Sequence, residues 1–142
     1  MAIYSIGVRT SGVALSTAGW ELRTGSSDRA YLLELGISLA AATASTFGLG
    51  RPAAIGVTPT SPVTLLAEDS SAPAGTVQSA LAWATGPTAP ANFFRRISLP
   101  ATIGSGVIWT FPKGLLIPVN SSLVVWNLAA NGVADMYAVI DE

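Results

Sequence analysis

The block GVIWTFPKGLLIPVNSSLVVWNLAANGVADMYAVIDE, residues 106–142, decides the fold. Along 107–111 and again along 133–140, successive side chains divide between two faces with the period of two that is typical of β-strands. Pro112-Lys113-Gly114 breaks the first run, and Asn131-Gly132, the strongest hairpin signal of the chain, precedes the last. The block therefore predicts three or four strands.

The rest of the chain repeats this organisation. Strand patterns occupy the ranges 3–9, 20–24, 29–39, 63–67, 76–85 and 93–99, with turn residues between them. The range 29–39 also matches a helical face through Leu32, Leu35 and Leu39, but Gly36 and the alternation favour a strand. We expect about eight to ten short strands, little or no helix, and a single all-β sandwich or barrel domain over residues 1–142.

The composition predicts that much of the surface is buried against other chains. Half of the residues are hydrophobic and only 11% are charged, against about 25% in a typical soluble domain. The longest apolar stretch, 31–44, contains Glu34 and is shorter than the roughly 18 to 20 residues of a spanning helix. We therefore expect an oligomer rather than a membrane protein.

Charge and residue usage disfavour several function classes. Seven basic and eight acidic residues give a net charge of −1, so no electrostatic footprint for nucleic acid is expected. The chain has no Cys and no His, which removes the Ser-His-acid triad and the commonest metal ligands. We predict no catalytic residues, no cofactor, no metal and no enzyme activity. Glu68-Asp69, the only acidic pair in a loop, leaves calcium binding open, and the remaining carboxylates are expected to be solvated.

Two strands are apolar on both faces, unlike an ordinary sandwich strand with one wet face. They cover 115–117 and 123–128, and their second face predicts a subunit interface around Leu116, Val124 and Trp126. The four Trp residues are expected in the core or an interface, with a sugar-stacking platform as the alternative.

Three Pro- and Gly-rich segments, 51–62, 68–75 and 86–92, are predicted to be long surface loops that contact partners. Arg95 and Arg96 lie on a strand, so their side chains point to opposite faces. The candidate partner-contact residues are Arg51, Pro59, Glu68, Asp69, Arg95 and Arg96.

The closing arrangement of Pro112-Lys113-Gly114-Leu115-Leu116-Ile117-Pro118, two further apolar strands and a terminal Asp141-Glu142 resembles the small jelly-roll accessory proteins of tailed-phage virions. The length and the Ala-, Thr-, Gly- and Pro-rich composition resemble them too. The resemblance implies a jelly-roll-like antiparallel β-sandwich that forms a homo-oligomer, a trimer, on the phage particle. It implies a capsid decoration protein that contacts the major capsid protein or another virion protein. The alternative is a tail or fibre head that binds a receptor glycan.

Overall fold

The computed structural model describes residues 2–12 and 17–142, and throughout this part of the chain it is built from β-strands without any helix. The strands are β1 (Ile3–Thr10), β2 (Thr17–Arg23), β3 (Ala30–Leu39), β4 (Ser45–Gly50), β5 (Val57–Pro59), β6 (Pro62–Val63), β7 (Leu66–Ala67), β8 (Gln78–Ala80), β9 (Trp83–Thr85), β10 (Arg95–Leu99), β11 (Gly106–Ile117), β12 (Ser122–Asn127) and β13 (Ala134–Asp141). The predicted all-β class is confirmed.

The eight long strands follow the jelly-roll path of one long antiparallel hairpin that is rolled up. β1 pairs with β13, β2 with β12, β3 with β11, and β4 with β10. Rolling then brings β13 beside β3 and β12 beside β4. The result is a front sheet, in the order β11-β3-β13-β1-β7, and a back sheet, in the order β10-β4-β12-β2-β8-β6. The predicted jelly-roll-like sandwich is therefore confirmed.

The core lies between the two sheets and follows from the period-two pattern. On β13, Ala134, Met136, Ala138 and Ile140 share one face, as the period of two predicts, and the structure places that face inward and buried. Large side chains of the back sheet, among them Trp20 and Phe47, close the core from the other side. Each fully buried large apolar side chain stabilises the fold by about 1.5–3 kcal/mol relative to an exposed one.

Two turn signals of the C-terminal block do not act as predicted. Pro112-Lys113-Gly114 does not end a strand, because β11 continues through it with a register shift between Thr110 and Leu115. Gly114 has φ +69°, which suits glycine at such a bulge. Asn131-Gly132 does not form a hairpin, because β12 and β13 belong to different sheets. Instead, the buried Asn131 side chain bonds to the main chain of Thr46. Its Oδ1 accepts from the Thr46 amide at 2.9 Å, and its Nδ2 donates to the Thr46 carbonyl oxygen at 2.8 Å.

The range 29–39 is a strand, as predicted, but the side of the strand that faces the core changes partway along it. A register shift opposite Val139 and Ile140 places Leu32 and Leu35 in the core while Leu33 is only half-buried. A strict period of two over 29–39 predicts one face made of Tyr31, Leu33, Leu35, Ile37 and Leu39. That prediction is wrong, because a bulge adds one residue and exchanges the two sides.

Residues 51–94, which connect β4 to β10, contain all the short strands. β6 and β8 extend the back sheet beyond β2, and β7 extends the front sheet beyond β1. β5 and β9 pair only with each other. This connection was predicted as loops around two strands, 63–67 and 76–85, and the structure divides each of these strands into shorter pieces.

Candidate functional site

The outer face of the back sheet is covered by the chain itself. Residues 54–60 and 82–93, here called the back layer, form the β5–β9 pair and pack on this sheet. A side chain at Gly48 or Gly50 would meet Phe93, at 2.9 and 3.1 Å from the added carbon. The two glycines thus let the back layer approach the β4 backbone closely.

Two of the three residues that the sequence predicted for a subunit interface are buried within the chain. Val124 and Trp126 lie on the outer side of β12 and are only 0% and 1% exposed in the single chain. Their prediction as subunit-interface residues is wrong, because the chain's own residues cover the second apolar face. Leu116 lies half-buried on the edge strand β11, and its place in an interface stays a prediction.

A buried carboxylate holds the back layer in place. Glu21 is fully buried, with its Oε1 accepting from Ser122 Oγ at 2.7 Å and from the Gly56 amide at 3.2 Å. Its Oε2 accepts from Trp83 Nε1 at 2.7 Å. The expectation that Glu21 is a solvated charge is therefore wrong. Because an ionised carboxylate only accepts hydrogen bonds, three converging donors suit it without a cation.

The outer face of the front sheet, here called the front face, has no comparable cover among residues 2–12 and 17–142. Neighbouring strands align its outward side chains in rows, and one row runs through Ile108, Gly36, Tyr137 and Gly7. A groove of about 740 Å³ lies over this row. Ile108 at one side of the groove is 61% exposed, a large value for an isoleucine on a sheet.

Tyr137 is the central side chain of the front face. Its ring lies over Gly36, where an added carbon would be 2.0 Å from Cε1. Its hydroxyl donates to Glu34 Oε1 at 2.6 Å, and this bond raises the pKa of Tyr137 above its ordinary value. On the other side of Tyr137, an added carbon at Gly7 would meet only the Met136 carbonyl oxygen, 4.0 Å away. The ring of Tyr137 therefore fills the space above Gly36, and Gly7 leaves a recess on the other side of the ring.

An ion pair borders the groove. Arg9 donates to both carboxylate oxygens of Asp135, at 2.6 and 2.8 Å, and this holds the pKa of Asp135 below its usual range. The two side chains are 65% and 50% exposed, so the pair contributes little to stability. Its polar groups remain accessible to a partner.

The sandwich carries cations along the side formed by β10 and β11, here called the basic edge. Arg51, Arg95 and Arg96 lie over Phe94, Phe111 and Phe93 at 5.1, 5.4 and 5.6 Å from the ring centroids. Arg51 also donates to the Leu116 carbonyl oxygen at 2.5 Å and so ties the start of the connection to β11. Lys113 is exposed on the bulge of the same strand and lines a groove with Arg95.

The opposite side, beyond β1, carries the acidic loop pair and is here called the acidic edge. Glu68 and Asp69 follow β7 and are exposed, and Glu68 accepts a hydrogen bond from Ser5 Oγ. Asp69 accepts from the Ser71 amide and hydroxyl, which lowers the pKa of Asp69. Leu66, also on this edge, is 70% exposed.

The structure thus separates the candidate contact residues that the sequence grouped together. Arg51, Arg95 and Arg96 lie on the basic edge, while Glu68 and Asp69 lie on the acidic edge. Arg95 and Arg96 point to opposite faces as predicted, since they contact Phe111 and Phe93. Pro59 is half-buried in β5, paired with Trp83 of the back layer.

Neither a metal-ligand group nor a membrane-spanning helix is found among residues 2–12 and 17–142. No three acidic side chains there come together as ligands for an ion. No helix in that part of the chain is long and apolar enough to cross a membrane.

The chain matches no protein-family model, no curated protein and no solved structure.

Sequence reasoning missed the front face as a site. Gly7 and Gly36 each interrupt a strand pattern, and a glycine inside a strand often marks a close approach by a ligand or another chain. That signal was available, but their alignment on both sides of Tyr137 depends on the pairing of β1, β13 and β3.

Proposed function

We propose that this protein is a structural component of a phage virion, a capsid decoration protein that acts as a homo-oligomer, a trimer, on the particle surface. The observation that carries the proposal is the unequal cover of the two sheets. The back layer covers the back sheet, whereas the front face is open and has a groove of about 740 Å³. A virion protein that the front face contacts, such as the major capsid protein, would complete the second cover.

The front face has the composition of a docking surface. Ile108 and Tyr137 provide apolar contact area around the groove, and Arg9 and Asp135 provide a polar rim. Interfaces combine an apolar centre with a polar rim in this way. Burial of the apolar centre stabilises the contact by roughly 25 cal/mol for each Å² removed from water, before ordering costs.

Purified virions provide the test. We expect the protein in hundreds of copies per particle, spread over the shell, when it is quantified by mass spectrometry and located by electron microscopy. A handful of copies at one end of the particle would favour a tail location instead. Absence from purified virions would contradict the proposal.

A receptor-binding head that recognises a glycan is the second candidate, and Tyr137 favours it. An aromatic ring beside the recess at Gly7, with Glu34, Asp135 and Arg9 around it, offers both a stacking surface and hydrogen-bond partners for a sugar. Binding to an array of bacterial surface polysaccharides tests this candidate. It predicts that Tyr137→Ala abolishes binding and Tyr137→Phe, which keeps the ring, retains most of it. No binding by the wild-type chain would contradict it.

A further inference from the structure

We infer that copies of this chain associate head to tail, with the basic edge of one copy against the acidic edge of the next. This deepens the proposed function, because it names the surfaces through which the proposed oligomer forms. It uses the two edges and leaves the front face free for the particle.

The first observation is that unpaired charges of opposite sign lie on opposite sides of the sandwich. Among residues 2–12 and 17–142, the only ion pair is Arg9 with Asp135 on the front face. Arg95, Arg96 and Lys113 on the basic edge therefore have no carboxylate within 4.0 Å, and Glu68 has no cation within that distance. Each edge therefore carries charges without an ion-pair partner, and the other edge of the same molecule carries charges of the opposite sign.

The two edges cannot satisfy each other within one chain. β11 and β7 are the outermost strands of the front sheet, with three strands between them. Adjacent strands are about 4.8 Å apart, so the edges are separated by roughly 19 Å. An ion pair between them requires a second copy.

Each edge also exposes a large apolar side chain beside its charges. Phe94 precedes Arg95 and is 38% exposed, and Leu66 lies two residues before Glu68 and is 70% exposed. In a contact of this kind, the complementary charges attract the partner and the apolar pair excludes water. Each edge thus has apolar contact area directly beside its charges.

The guanidinium groups on the basic edge are held in position. Arg95 and Arg96 lie over Phe111 and Phe93, so part of the cost of ordering these side chains is met before a partner binds. The bulge at Pro112 to Gly114 interrupts the outermost strand, which disfavours strand addition at this edge. The contact therefore uses side chains rather than a shared sheet.

The geometry constrains the symmetry. Because two different surfaces meet, the contact is heterologous and closes into a ring when the rotation between copies permits. The trimer proposed for the particle is one such ring.

Charge reversal on the purified chain tests the inference. Sedimentation velocity in low salt should give the wild type a mass of about three times the 14.5 kDa of the monomer. Arg95→Glu with Arg96→Glu, and separately Glu68→Arg with Asp69→Arg, should each leave monomers. The chain with all four changes should regain the wild-type mass.

Two controls keep the outcome interpretable. Asp28→Arg, a charge reversal at an exposed position of the β2–β3 loop, should leave association unchanged. Mixing the two edge variants should bring unlike chains together in alternation, which cannot close a ring of three, so the expected product is a mixed dimer or an even-membered assembly rather than the wild-type trimer. Circular dichroism should show that both variants are folded.

Three results would overturn the inference: a wild-type chain that stays monomeric in low salt, edge variants that associate like the wild type, or a folded four-residue variant that stays monomeric. None of them bears on whether the front face binds the particle, which is measured in virions. The two proposals therefore fail separately.

Discussion

Replacing Glu21 with glutamine should detach the back layer from the back sheet and destabilise the whole chain. Oε1 of the fully buried Glu21 accepts from Ser122 and Gly56, and its Oε2 accepts from the half-buried Trp83. A glutamine has one oxygen and one NH₂ group, so the NH₂ must face either the Trp83 indole N–H or the Gly56 amide. In both orientations one buried N–H donor loses its acceptor.

An unsatisfied buried donor costs about 1–3 kcal/mol, so we expect Glu21→Gln to lower the free energy of unfolding by that amount. In a domain of this size, each kcal/mol corresponds to roughly 2–4 °C in Tm. Urea unfolding followed by tryptophan fluorescence measures the change. The matched control is Glu34→Gln, whose amide oxygen still accepts from Tyr137 and which should change stability by less than about 0.5 kcal/mol.

A double-mutant cycle isolates the proposed contact. Trp83→Phe removes the indole donor, so adding it to Glu21→Gln should cost less than the sum of the two single changes. We expect a coupling energy of about 1 kcal/mol. Additive effects, or a Glu21→Gln protein as stable as the wild type, would refute the assignment of Glu21 as the group that holds the back layer.

Three further changes test other parts of the structure. Gly36→Ala forces the Tyr137 ring aside and should lower the free energy of unfolding in urea by about 1–3 kcal/mol. Gly7→Ala should be tolerated, because the added carbon has open space. Equal effects of the two changes would contradict the described ring position. Asn131→Ala removes the side-chain bonds to the β4 main chain and should lower the free energy of unfolding by about 1–3 kcal/mol. Each kcal/mol corresponds to roughly 2–4 °C in Tm, so a Tm within 1 °C of the wild type would contradict that role. Because the pKa of Tyr137 is raised in the folded state, its contribution is complete below the ordinary tyrosine pKa and is lost as pH rises through the folded value. Stability should therefore fall less steeply in alkali for Tyr137→Phe, and identical pH profiles would contradict the Tyr137 hydrogen bond.

The class of fold could be predicted because the period-two pattern survives in most long strands. Along β13, burial alternates residue by residue, so the sequence period correctly gives a strand. Both of its faces carry apolar residues, and only the packing of the sheets shows which face is the core. Bulges are harder to predict: Pro112-Lys113-Gly114 looks like a strand end, and only the pairing of β11 with β3 on both sides of it shows one strand. Asn131-Gly132 has the composition of a hairpin, and the sheets its neighbours join cannot be deduced locally.

The site could be predicted only in part. The second apolar face of β12 is visible in the sequence, but its cover could have come from another chain or from this one. In the structure the cover comes from this chain, because the long connection between β4 and β10 folds back over Val124 and Trp126. A buried carboxylate such as Glu21 has no sequence signature, because its donors come from positions 35, 62 and 101 residues away. The charged edges likewise exist only once the strand order is known.

The central claim, that the front face docks on a virion, can be tested with a single cysteine. The chain has no cysteine, so Ile108→Cys on the front face and Val57→Cys on the back layer each provide one reactive thiol at an exposed position. Both should react with a maleimide in the purified chain. In assembled virions we expect the thiol at 108 to be protected and the thiol at 57 to react. Equal labelling of the two positions in the particle would contradict the account.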